Sequence, residues 1–140
     1  MHLLDLLWVA ALAVGSGFAG VVVSEFMTRR RGKREISLQI VKDIFGRYRD
    51  IAKAKGILQD PNAKARLRNP ADLNAIIEVG DWCDVVAHLY AARLADRKLF
   101  EKLGIPDMLR SLRDLIDPVA PCSQDLDQAY KSWTHLRQVQ

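Results

Sequence analysis

A chain of 140 residues, 49% hydrophobic and with a formal charge of +4, has room for one small domain with its own core and little more. The charge is uneven. Five of the 21 Lys and Arg fall in residues 29–34, and residues 35–140 keep sixteen bases against fifteen acids once Asp5 and Glu25 are set aside. So neutral a segment excludes a nucleic-acid-binding domain, which is itself basic, and two cysteines, Cys83 and Cys122, make neither a disulfide framework nor a zinc-ligand pattern.

The first predicted element is residues 6–24, nineteen residues without a charge. At about 1.5 Å per residue they span about 28 Å, close to a bilayer's hydrocarbon core, and the expectation is a transmembrane helix. A signal peptide would carry bases ahead of the apolar run, where this chain has Asp5 and no Lys or Arg. The basic group Arg29, Arg30, Arg31, Lys33 and Arg34 follows, so the positive-inside bias puts the N-terminus outside and the remainder in the cytoplasm. Trp8 falls at the outer headgroup boundary, and the basic group faces anionic lipid headgroups. Within the span Ala10, Ala13, Gly17, Gly20 and Ser24 recur at spacings of three and four, a small-residue stripe that lets a second membrane helix pack closely, from another copy or a different membrane protein. The organisation read from sequence is therefore an anchor (1–28), a basic juxtamembrane segment (29–34) and a cytoplasmic helical domain (35–140).

Residues 35–55 place Ile36, Ile40, Ile44, Phe45, Tyr48, Ile51 and Ala52 at helical spacing, with Gly56 as the stop and Gly32 the point where a bend could sit. Residues 56–70 read as a loop carrying Lys64, Arg66 and Arg68. Asn69 then caps, and Pro70 opens, a helix expected over 70–94, with Leu73, Ile76, Ile77, Gly80, Cys83, Ala87, Tyr90, Ala91 and Leu94 inward. Asp96 starts a short helix with Leu99, Phe100 and Leu103 inward, stopped by Gly104. Pro106 opens the next, which ends at Asp117-Pro118. Ser123 caps a last helix with Leu126, Ala129, Tyr130, Trp133 and Leu136 inward. No segment alternates with period two, so the class is all-α: one N-terminal transmembrane helix and a small helical bundle.

The densest polar set is Glu78, Asp81, Asp84 and His88, with the last three at helical spacing on one face. A carboxylate–histidine metal site recruits ligands from facing helices, and the only other histidine of the helical domain, His135, carries no matching motif. The expectation is a solvated face in which Asp84 pairs with His88, with no metal ligands. Cys83 lies on the apolar stripe as an inert thiol. Trp82 and Trp133 are expected to pack. No phosphate-cradling Gly loop, Gly-x-Ser-x-Gly or His-Glu-x-x-His occurs, so no catalytic residue or cofactor is expected.

Residues 74–103 carry a resemblance. Asn74, Glu78 and the run Tyr90-Ala-Ala-Arg-Leu-Ala-Asp-Arg-Lys-Leu-Phe-Glu-Lys-Leu103, with Gly104 after it, resemble the central helix–turn–helix of small bacterial membrane-anchored helical proteins known only as a domain of unknown function. The resemblance implies a bacterial plasma membrane and no activity. The function expected from sequence is a membrane-anchored scaffold or accessory subunit working through helix–helix contacts. An anionic-lipid-surface module or sensor is the first alternative and a metal-dependent enzyme the second.

Overall fold

Short-range capping sets the starts of three helices. The Asn69 side chain accepts the Ala71 N–H at 3.0 Å with Pro70 at the first helical position, the Asp96 carboxylate accepts the Leu99 N–H at 3.2 Å, and Ser123 accepts the Leu126 N–H at 3.5 Å. Gly104, at φ +69°, supplies the left-handed residue between two further helices. The computed structural model describes residues 18–140, with side chains from residue 29 onward. Its elements are α1 (Phe18–Gly46), α2 (Tyr48–Gln59), α3 (Ala63–Arg66), α4 (Pro70–Ala91), α5 (Arg97–Lys102), α6 (Ile105–Ile116), a 3-10 turn (Ala120–Cys122), α7 (Gln124–Ser132) and α8 (Thr134–Arg137). No strand occurs among the described residues, as the all-α class requires. The chain divides into two units between Glu35 and Ile36, and the second, Ile36–Gln140, contains α2 to α8 and the end of α1.

The membrane-spanning, single-pass reading is corrected here. No helix among the described residues is long and apolar enough to cross a membrane. In α1 only residues 18–24 precede the first charge, Glu25, and residues 29–35 hold six charged side chains. Seven uncharged residues cover about 10 Å of a core about 30 Å thick. Residues 6–17 of the expected span, with Trp8, Ala10, Ala13 and Gly17 of the packing stripe, lie outside the described residues, as do the side chains of Gly20 and Ser24.

Two helix boundaries also move. The helix expected over residues 35–55 is interrupted at Arg47 (φ −97°, ψ 6°), which follows Gly46, while Gly56 lies inside α2 on its solvent side. Phe45 and Tyr48 lie outward, 76% and 69% exposed, beside the inward line of Ser37, Ile40, Ile51 and Ala54, where the periodicity had them inward. Helix α4 ends at Ala91 because Arg93 adopts φ +57°. The Arg93 N–H then returns to the Tyr90 carbonyl and the Leu94 N–H to the Leu89 carbonyl, a Schellman closure that leaves Leu94 exposed.

Helix α4 is central, packing against α2, α6, α7 and α8. Its inward face is Ile76, Val79, Gly80, Cys83, Val86 and Ala87, a stripe rotated from the expected one so that Val79 and Val86 enter and Ala91 leaves. Around it lie Ile51, Ala54, Ile57 and Leu58 of α2, Phe100 of α5, Leu109, Leu112 and Ile116 of α6, and Leu126, Trp133 and Leu136 near the C-terminus; Leu103 stays outside. Arg66 ties the end of α2 to the start of α4, reaching Asp60 at 3.3 Å and Asp72 at 3.2 Å. The α1 segment is pinned by Ser37, fully buried, whose Oγ accepts the Asp96 N–H at 2.6 Å.

Replacing Ser37 by Ala leaves that half-buried amide without its acceptor. We expect a loss of about 1–2 kcal/mol in urea unfolding of the full chain, well above a surface substitution. A loss within 0.5 kcal/mol of zero, on the order of a surface change, would show the pin to be replaceable.

Candidate functional site

The polar set flagged in the sequence sits where α4 receives the last turn of the chain. Gly80, Asp81, Asp84 and His88 follow one another up one side of α4, by the 3.6-residue period. Opposite them α7 stops at Trp133, whose ψ of 66° breaks the helix before α8 restarts at Thr134. That break seats the indole on Gly80. A Cβ built there would lie 2.1 Å from Cη2 and 2.3 Å from Cζ2 of Trp133, distances no side chain tolerates, so only glycine admits the ring. Trp133 is 2% exposed, and its one polar atom is satisfied: Nε1–H donates to Asp81 Oδ1 at 2.7 Å.

One helical turn further along, Asp84 Oδ1 accepts two backbone amides, from His135 at 2.9 Å and Leu136 at 2.8 Å. These belong to the first turn of α8, whose amides lack intrahelical partners, so Asp84 caps that helix from another element. Its second oxygen lies 3.8 Å from His135 Nδ1. The other ring nitrogen of His135, Nε2, is 2.9 Å from His88 Nδ1, with ring centroids 4.3 Å apart. The expected Asp84–His88 pair is therefore absent: Asp84 serves the amides of residues 135 and 136, and His88 meets His135. Among the described residues no group of three or more His, Cys, Asp or Glu is placed to hold a metal ion.

Glu78, the fourth member, faces elsewhere. With Asn74, Ala75 and Val79 of α4 and Arg47, Asp50 and Lys53 it lines a groove of about 220 Å³. Beside it the Arg47 guanidinium covers the half-buried Trp82 ring at 5.6 Å from the centroid. The side chains of Arg29, Arg30, Arg31, Lys33 and Arg34 are all exposed on α1. In the second basic group Arg66 is consumed by Asp60 and Asp72, while Lys64 and Arg68 are exposed.

Cys83 is fully buried, and burial pushes its thiol from the ordinary 9.0 up to about 12, with Lys55 and Arg47 pulling weakly the other way. The nucleophile is the thiolate, so this sulfur is a packing atom. Tyr130 is likewise raised to about 12, by burial first and then by its hydrogen bond to Asp117 at 2.8 Å. No protein-family model, curated protein or solved structure matches this chain.

Sequence reasoning identified the polar face but missed its counterpart, and it missed the outward turn of Phe45 and Tyr48. Only Gly80 signalled the first, since a glycine inside an apolar helical stripe marks a close approach.

Gly80→Ala should cost about 3 kcal/mol by overpacking against the indole and should move Trp133 toward water, read as a red shift in tryptophan emission. A variant as stable as wild type would mean the seat is loose.

The raised thiol sets a second expectation. At pH 8 one thiol per folded chain, the exposed Cys122, should react rapidly with a disulfide reagent, and Cys83 only on unfolding. Since folding holds the Cys83 proton past its ordinary range, the unfolded chain binds fewer protons between pH 9.0 and about 12, and stability falls as pH rises through that window. Two fast thiols at pH 8, or stability flat across the window in a Tyr130→Phe background, would contradict the buried assignment.

Proposed function

We propose that this chain is a non-enzymatic scaffold or accessory subunit that works through protein–protein contact, using the corner between α1 and α2. The observation that supports this reading is the pair Phe45 and Tyr48, 76% and 69% exposed, with Leu38 48% exposed on the same helix as Phe45. Leu38 and Phe45 are seven residues apart, two helical turns, and so lie on one side of α1. Burying one such aromatic is worth about 1.5–3 kcal/mol, which the isolated domain leaves unrealised. The neighbouring groove supplies charges of both signs, Arg47 and Lys53 with Asp50 and Glu78, the polar rim that surrounds an aromatic anchor in a protein interface. The occupant suited to this corner is a partner's amphipathic helix, with apolar residues for Phe45 and Leu38 and both charge signs beside them.

A photo-reactive amino acid placed at position 45 should crosslink one defined protein in the native cell. The same group at exposed Gln128 should not, and Tyr48→Glu should reduce the yield at least tenfold. Equal, diffuse crosslinking from positions 45 and 128 would refute a dedicated docking corner.

A further inference from the structure

We propose that His88 and His135 form a two-imidazole clip for a divalent transition-metal ion that takes nitrogen ligands at a right angle, of the Ni²⁺ or Cu²⁺ kind. The sequence offered a carboxylate–histidine face without facing ligands, and the fold supplies one from 47 residues away. His88 Nδ1 and His135 Nε2 stand 2.9 Å apart. Two ligand bonds of about 2.05 Å at 90° leave their nitrogens about 2.9 Å apart, whereas a tetrahedral angle leaves about 3.3 Å. The contact is also bent. A head-on approach would separate the ring centroids by that 2.9 Å plus a ring radius at each end, well beyond the observed 4.3 Å. Rings folded toward each other leave space beside the N···N line for an ion that both reach.

The surroundings suit the tautomer that such a clip needs. His135 Nδ1 faces Asp84 Oδ2 at 3.8 Å and Thr134 Oγ1 at 3.4 Å, two oxygens that favour a proton on that nitrogen and leave a lone pair on Nε2. A carboxylate behind the far nitrogen of a ligating imidazole is the arrangement that orients metal-bound histidines and raises their basicity. His88 is exposed and the His135 side chain is 38% exposed, so water completes the coordination shell. A bound ion would cross-link α4 to α8 and hold the C-terminal turn on its seat.

The test is thermal unfolding of the full chain carrying His2→Ala, which removes the third histidine, first with chelator and then with excess Ni²⁺. We expect one Ni²⁺ per chain after dialysis and a rise in Tm of about 5 °C. Both should vanish in His88→Gln and in His135→Asn, which keeps the backbone amide that Asp84 caps. Metal-free Tm values within about 4 °C of the parent, a shift of on the order of 1 kcal/mol, confirm that both variants fold; a variant that does not is replaced by blocking the imidazoles with diethylpyrocarbonate. No rise, an equal rise in the variants, or a rise with Zn²⁺ alone would each overturn the right-angle clip.

Discussion

The indole of Trp133 lying against the bare backbone of Gly80 is the contact on which the arrangement of this domain depends. Neither partner has an alternative: the helix can present no side chain there, and the ring fills space that a methyl group would occupy. A fully buried tryptophan is among the largest single contributions to a small core, on the order of 3–5 kcal/mol when removed. That gain is available only because Asp81 takes the indole proton and Asp84 takes the two amides exposed by the break at Trp133. Shape and polarity are solved together, at Gly80, Asp81 and Asp84 along one face of α4.

The same economy runs through the rest of residues 36–140. Among the described residues no buried side-chain nitrogen or oxygen lacks a hydrogen-bond partner. Ser37 resolves the amide of Asp96, whose side chain in turn caps α5, so one buried hydroxyl ties residues 36–46 to the start of a helix 59 residues later. Arg66 bridges two carboxylates across the short α3 segment. In a domain this small a handful of polar joints determines which way each helix leaves its neighbour, and the apolar stripe of α4 then has a single set of partners.

What was legible in the sequence divides by distance along the chain. Asn69, Asp96 and Ser123 act on amides two or three residues away, so their meaning is carried by spacing alone, and their helices begin where they indicate. The face of Asp81, Asp84 and His88 was visible as a pattern, but its partners stand 47 to 52 residues further on, and no local rule connects them. Phe45 and Tyr48 lie one position off the line that Ser37, Ile40, Ile51 and Ala54 take inward, and apolar spacing alone does not separate two adjacent stripes. The apolar run at residues 6–24 was read as a membrane span from its own length and flanks, whereas the described helix that begins at Phe18 runs on through a strongly charged segment to Gly46.

The separation between Gly80 and its occupant has a consequence during synthesis. Chains emerge from the ribosome amino end first, so α4 is complete while the residues that cover it are still being joined, and the amide of His135 follows Asp84 by 51 residues. Through that interval the notch and its carboxylates stand open to whatever is nearby. Without the indole of Trp133 that notch would stay open after synthesis, with Asp81 left without the N–H it accepts.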